Sequence, residues 1–138
     1  FMVNVIIAFV TPDVAGDPLT LQRVFGWIMS PLAWLLGIPW SEATTAGSLL
    51  GTKTVLNEVI AYDELTKLPE GALSPRSQLI MIFALCGFAN FASLGTMIGG
   101  LAAMVPERRH DIAALAPKTI ISGTLATCIA GAVVGILN

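Results

Sequence analysis

Three polar side chains in apolar surroundings are the best candidates for chemistry in this 138-residue sequence. Glu58 lies in a moderately apolar segment, while Asn90 and Ser93 interrupt residues 77–106, a stretch without any charge. A carboxylate accepts hydrogen bonds, whereas an amide and a hydroxyl both donate and accept them. An ionisable residue within a membrane-length segment is a functional hypothesis by default. These residue types indicate a polar binding site inside a membrane protein.

Each of these residues also has a plainer interpretation. Glu58 could be a structural anion paired with Lys53, although the helical i,i+4 spacing is not available to that pair, or it could be a proton relay. Asn90 and Ser93 could join helices through side-chain hydrogen bonds. Phe88 could serve general packing as readily as one wall of a site. We favour the binding interpretation for Glu58, Asn90 and Ser93.

A catalytic interpretation is weaker. His110 and Asp111 could act with a serine, but they lie beside Arg108 and Arg109 in a charged segment that is typical of a solvated turn. The sequence has no zinc-ligand spacing, glycine-rich phosphate loop or nucleophile elbow. We therefore predict that the protein is not an enzyme and holds no cofactor.

Composition places the chain in a lipid bilayer. Hydrophobic residues make up 55% and charged residues 12%, whereas a soluble domain carries about 25% charged residues. The net charge of −2 and the absence of a basic run give no indication of nucleic-acid binding. Cys86 and Cys128 are predicted to be small buried hydrophobes rather than a disulfide or metal site.

We expect an all-α integral membrane fold. In chain order, the predicted segments are the end of a transmembrane helix (1–10), interfacial amphipathic helices (19–40), a re-entrant helical hairpin (42–70), a partly unwound transmembrane helix (75–106) and a last transmembrane helix (116–138). Three tryptophans favour the interfacial placement of residues 19–40, and Pro31 interrupts them; an ordinary kinked span is the alternative.

Residues 77–106 are too long for an ordinary span. As one helix they would measure about 45 Å, against a bilayer core of about 30 Å. The surplus lies around Asn90 and Ser93, between Gly87 and Gly95, so we predict two half-helices joined by an opened backbone. Such backbone is tolerated at membrane depth only inside protein or beside a cavity, as in many secondary transporters.

The hairpin follows from the cost of buried charge. A straight span through residues 42–70 would place Lys53, Asn57 and Glu58 near the bilayer centre. We therefore predict a segment that enters and leaves on one side, with its tip between Gly51 and Asn57 and with Glu58 close to that tip.

Small residues and cations give packing and orientation. Gly95 and Gly99, like Gly131 and Gly135, have the GxxxG spacing of a close helix contact. The cations of the charged loop 107–118 place it in the cytoplasm and the carboxy terminus outside.

Three motifs resemble the concentrative nucleoside transporter family. They are Gly51-Thr52-Lys53 with Leu56-Asn57-Glu58-Val59-Ile60-Ala61-Tyr62, then Cys86-Gly87-Phe88-Ala89-Asn90-Phe91-Ala92-Ser93, and then Pro106-Glu107-Arg108-Arg109-His110-Asp111. Their order and hydropathy make the match specific. The chain resembles the carboxy-terminal portion of a longer transporter, so we expect it to be a fragment that does not transport by itself.

The resemblance implies a homotrimer in the plasma membrane (the inner membrane in bacteria) that carries nucleosides into the cell by sodium symport. It implies that Glu58, Asn90 and Ser93 contact the ribose and that Phe88 lines the same pocket. Residues that read the base or coordinate sodium would lie in the amino-terminal half, outside this chain.

Val59, Ile60 and Ala92 depart from the commoner family pattern; the first two keep apolar character, and Ala92 removes a hydroxyl beside Ser93. Alternatives are proton coupling, or a structural or gating membrane module without transport.

Overall fold

The computed structural model describes residues 21–138, with side-chain surroundings from Arg23 onward, and every regular element in that range is a helix. The predicted all-α fold is therefore confirmed for this part of the chain, whereas the predicted transmembrane end at 1–10 lies outside the described residues. The α-helices are α1 (Leu21–Leu35), α2 (Trp40–Val55), α3 (Glu58–Thr66), α4 (Pro75–Leu85), α5 (Phe91–Met104) and α6 (Arg109–Leu137).

Helices α1 and α2 pack tightly against each other after a bend of 117°. Gly37 has a φ of 94°, which glycine adopts without strain, and this residue allows the sharp turn between the helices. A Cβ on Gly47 would lie 2.6 Å from the Gly26 carbonyl oxygen, so the absence of side chains permits this close crossing.

The predicted interruption at Pro31 is wrong, because α1 continues through it. Proline removes one backbone donor and normally kinks or breaks a helix interior. Here the preceding Ser30 donates its hydroxyl hydrogen bond to the Gly26 carbonyl, and Ser30 and Ala33 are buried against neighbouring residues. Packing against α2 therefore outweighs the local preference. The interfacial placement of residues 19–40 stays a prediction.

The chain leaves helical geometry between α2 and α3, at Leu56 and Asn57. Asn57 has an extended backbone, and its side-chain oxygen accepts a 2.9 Å hydrogen bond from the Ile60 amide. This cap starts α3 immediately after the break. The break lies in the range predicted for the hairpin tip, and the re-entrant path through a membrane stays a prediction.

A second break separates α4 from α5 between Cys86 and Asn90. Ser74 caps the start of α4 by accepting from the Ser77 amide, and Pro75 occupies the first helical position, as its fixed φ favours. The interruption therefore lies inside the stretch for which the sequence predicts an opened backbone.

Hydrogen bonds near both ends align α2 with α4. The Glu42 carboxylate accepts from the Ser74 amide at 3.1 Å and from its hydroxyl at 3.2 Å, near the start of each helix. The Lys53 ammonium donates to the Ala84 carbonyl oxygen at 3.0 Å, near the end of each helix. The helices therefore run side by side in the same direction, and their breaks lie at the same level.

The predicted loop 107–118 is wrong over most of its length. A short 3₁₀ turn at Pro106–Arg108 leads directly into α6 at Arg109, and Pro117 lies inside that helix. Charged residues suggested a loop, but Asp111 in the first turn suits the positive end of the helix dipole, and the alanine-rich residues that follow favour helix. Residues Pro106–Leu137 form a segment long and apolar enough to cross a membrane.

The two GxxxG patterns behave differently. A Cβ on Gly131 would lie 3.0 Å from the Ile80 carbonyl oxygen, and one on Gly135 would meet the Ile80 side chain at 2.8 Å, so this face packs on α4. Cβ atoms on Gly95 and Gly99 would meet nothing within 4 Å in the described chain. Only the second of the predicted packing faces is occupied within residues 21–138.

Candidate functional site

The two helix breaks bring Glu58 and Asn90 together. The Asn90 Nδ2 atom donates to Glu58 Oε2 at 3.1 Å, although the two residues are separated by 32 positions. Asn90 is 1% exposed, whereas Glu58 is partly exposed. The buried Asn90 amide thus orients the Glu58 carboxylate, which stays partly exposed.

Asn90 also fixes the start of α5. Its side-chain oxygen accepts a 2.7 Å hydrogen bond from the Ser93 amide, which makes it the N-cap of the helix. The amide group therefore uses its oxygen locally and its nitrogen across the site, and its orientation is determined at both ends. Ser93 is joined to Asn90 through this backbone contact.

Helix electrostatics favour an anion at Glu58. The residue occupies the first turn of α3, where unpaired backbone N–H groups and the helix dipole stabilise negative charge. Asn90 caps α5, so a second helix begins beside the same carboxylate. The arrangement holds an acceptor in place and offers its remaining lone pairs to a ligand that donates hydrogen bonds.

A cavity of about 430 Å³ adjoins these residues. It lies between the start of α5 and the middle of α6, and its lining includes Phe88, Asn90, Ser93, Thr119 and Gly123. Phe88 is 74% exposed and is one of the residues that line this cavity. The structure therefore places three of the four predicted site residues around one cavity, with the fourth, Glu58, bonded to Asn90.

Lys53 is fully buried, and sequence reasoning did not find its partners. Its ammonium donates to the Ala84 carbonyl oxygen at 3.0 Å and to Thr127 Oγ1 at 2.9 Å, rather than to Glu58. The Thr127 hydroxyl donates in turn to the Thr124 carbonyl at 3.0 Å. A cation in the middle of an apolar segment was the available sequence signal, but no neighbouring residue indicated its partners.

Tyr62 is a second residue that sequence reasoning missed. Its hydroxyl donates to the Ile82 carbonyl oxygen at 2.6 Å, which joins α3 to the last turn of α4. Tyr62 follows Glu58 by one helical turn, so the two side chains lie on the same face of α3. That spacing was the sequence signal that could have connected Tyr62 with the site.

The residues of the weak catalytic interpretation lie on an exposed segment. Arg108 forms an exposed 3.1 Å ion pair with Asp111, and His110 is exposed on the same segment. Within residues 21–138, no group of three or more His, Cys, Asp or Glu side chains could hold a metal ion. Cys128 is buried as predicted, but Cys86 is exposed at the second break, so the prediction of burial is wrong for Cys86.

The structure has two broken helix pairs, and their breaks meet around polar side chains. Secondary transporters build their binding sites in this way. The model of the family described as "Na+ dependent nucleoside transporter C-terminus" matches residues 1–135. The chain belongs to this family. The family is one of transporters and not of enzymes.

Named relatives agree with this assignment. The chain is 46% identical to an uncharacterized transporter, YutK, of Bacillus subtilis, over 84% of this chain and 28% of that protein. It is 40% identical to the nucleoside permease NupC of Helicobacter pylori, over 87% of this chain and 30% of the permease. It also resembles the human sodium/nucleoside cotransporter 1, with 34% identity over 91% of this chain and 21% of the cotransporter.

A solved structure gives the same result for the fold. The chain superposes on CNTnw in an inward-facing substrate-bound state with a TM-score of 0.88 and 46% identity, over 97% of this chain and 33% of CNTnw. The chain thus spans about a third or less of the length of these relatives.

Proposed function

We propose that the protein containing this chain is a sodium-coupled nucleoside importer of the plasma membrane and that this chain supplies the ribose-binding part of its site. The observation that carries the proposal is the hydrogen bond between Asn90 and Glu58 at the meeting point of two capped helix starts. Relatives named as nucleoside permease and sodium/nucleoside cotransporter support the substrate class and the coupling ion.

The chemistry of a ribose suits these side chains. Vicinal hydroxyls each donate and accept, so the Glu58 carboxylate can accept from them while Asn90 and Ser93 exchange hydrogen bonds with their oxygens. Phe88 adds an apolar surface beside the same cavity. We expect the residues that read the base and coordinate sodium to lie in the rest of the protein, which forms the opposite wall.

The proposal extends to assembly and orientation. It takes the protein to be a homotrimer in the bilayer (the inner membrane in bacteria), with the charged residues at the start of α6 in the cytoplasm and the carboxy terminus outside. The exposed α5 helix, which buries no residue within the described chain, is available for packing against the remainder of the protein.

Counterflow in proteoliposomes tests the transport claim. Vesicles that hold the full-length protein and are preloaded with unlabelled uridine should accumulate labelled uridine above its equilibrium level, and a sodium gradient should drive net uptake. A pore or a non-transporting module would give no such acceleration. If a proton gradient drives uptake and a sodium gradient does not, the coupling ion is H⁺ instead of sodium. That result would leave the proposed nucleoside site unchanged.

A substitution at Asn90 separates its two roles. Serine retains an N-cap acceptor but is too short to reach Glu58, whereas alanine removes the cap as well. We expect Asn90→Ser to raise the uridine KM about three- to tenfold, as for one lost hydrogen bond, with little loss of stability. Asn90→Ala should also lose about 0.5–2 kcal/mol of stability through the missing cap. Uptake kinetics and thermal unfolding of the full-length protein measure the two effects; an unchanged KM in Asn90→Ser would contradict the site.

A further inference from the structure

The end of α4 is an open helix terminus beside the site. The last four carbonyl groups of a helix have no partner within it, and this end lies immediately before the second break. Backbone groups of this kind need partners wherever water is excluded. The groups that donate to these carbonyls therefore determine whether the second break keeps a single geometry.

Side chains from both sides of the first break provide partners for two of these carbonyls. Lys53, in the last turn of α2, donates to the Ala84 oxygen at 3.0 Å, and Tyr62, on α3, donates to the Ile82 oxygen at 2.6 Å. The Cys86 amide donates to a third carbonyl, that of Phe83, at 3.4 Å. Side chains of α2 and α3 thus cap the carboxy-terminal end of α4.

Charge adds to this effect. Helix C-termini carry partial negative charge, and α2 and α4 end side by side, so the Lys53 ammonium lies near both ends. It is 0% exposed, and Thr127 of α6 takes one of its remaining donors. A single cation therefore connects α2, α4 and α6 at the level of the breaks.

One face of α3 bridges the break. Glu58 contacts Asn90 at the start of α5, and Tyr62, one turn further along, contacts Ile82 at the end of α4. The same helix therefore touches both sides of residues 86–90. Its two contacts set the separation between the end of α4 and the start of α5.

We propose that Lys53 and Tyr62 are positioning residues for the sugar site: they cap the open end of α4 and thereby hold Asn90 in register with Glu58. This inference rests on the proposed function. It assigns to Lys53 and Tyr62 an effect on ribose recognition without direct contact with the substrate.

The main test is Tyr62→Phe in the full-length transporter, because phenylalanine keeps the ring and removes only the hydroxyl. We expect the KM for uridine to rise about three- to tenfold, as for one lost hydrogen bond, at unchanged membrane abundance. The KM for 2′,3′-dideoxyuridine, which lacks the hydroxyls that Glu58 and Asn90 would bind, should stay within about twofold of wild type. A general structural defect would raise both constants equally and would overturn the proposal.

Thr127 provides a second test that leaves the Lys53 charge in place. Thr127→Val removes the hydroxyl that accepts from Lys53, and Thr127→Ser retains it. Thr127→Val should raise the KM for uridine and leave that for 2′,3′-dideoxyuridine unchanged. Thr127→Ser should keep the wild-type KM for uridine. Ser48→Ala is the matched control, because that hydroxyl donates to the Thr45 carbonyl within α2; its KM should equal that of wild type.

Glu58→Gln measured in the same assay distinguishes the two claims. If Glu58→Gln impairs uridine uptake while Tyr62→Phe and Thr127→Val leave both constants unchanged, the positioning role is wrong and the sugar site stands. If Glu58→Gln has no effect either, the proposed function itself fails.

Discussion

Replacing Glu58 by glutamine in the full-length transporter should lower the efficiency of uridine uptake by at least about 100-fold. Hydrogen bonds to a charged acceptor contribute about 1.5–3 kcal/mol each, and two sugar hydroxyls would lose such an acceptor. Glutamine keeps the size and the helix position, so membrane insertion should be retained. Initial rates of labelled uridine uptake, divided by the amount of transporter in the membrane, measure the effect.

The control is Glu64→Gln on the same helix. It removes one negative charge from α3 at a partly exposed position, away from the contact with Asn90. Its uptake should match that of wild type, which separates the loss of a ligand from a change in net charge. Normal uridine uptake by Glu58→Gln at normal abundance would contradict the assignment of this residue.

Gly87→Ala should be the most damaging small change in the opened backbone. A Cβ at this position would lie 2.3 Å from the Thr127 methyl carbon and 3.8 Å from Lys53 Nζ. Threonine is branched at Cβ and cannot move that methyl group aside without changing its rotamer. We expect a loss of about 1–3 kcal/mol in stability, as for other overpacked interiors, together with reduced uptake.

A second substitution tests the cause. Thr127→Ser removes the methyl group and keeps the hydroxyl that accepts from Lys53. The double variant Gly87→Ala/Thr127→Ser should therefore recover most of the thermal stability of the full-length protein. A double variant no more stable than Gly87→Ala alone would show that the overlap with Thr127 is not the reason for the damage.

The sequence predicted the features that depend on local chemistry. The predicted start of the segment 75–106 is one example, because Ser74 caps a helix that begins at Pro75. The cap that Asn90 gives to α5 was not predicted. The position of the second break followed from a segment too long and too polar in its middle for one span. The prediction that Glu58 and Asn90 belong to one site required the family resemblance in addition, since spacing alone left other roles open.

The features that the sequence missed depend on distant partners. Lys53 contacts residues 31 and 74 positions away, and no local pattern indicates either of them. The start of α6 was mispredicted for a different reason: the charges at Arg109 and Asp111 suit a loop as well as a first helical turn. At Pro31 the packing of α1 against α2 outweighed a local helix breaker.

The central claim is that Glu58 and Asn90 recognise sugar hydroxyls, and equilibrium binding to the purified full-length transporter tests it most directly. Titration calorimetry with uridine and with 2′,3′-dideoxyuridine compares ligands that share a base and differ only in those hydroxyls. The dideoxy ligand should bind at least about tenfold more weakly, because the site would keep buried polar groups without partners. Equal affinity for the two ligands would contradict the claim.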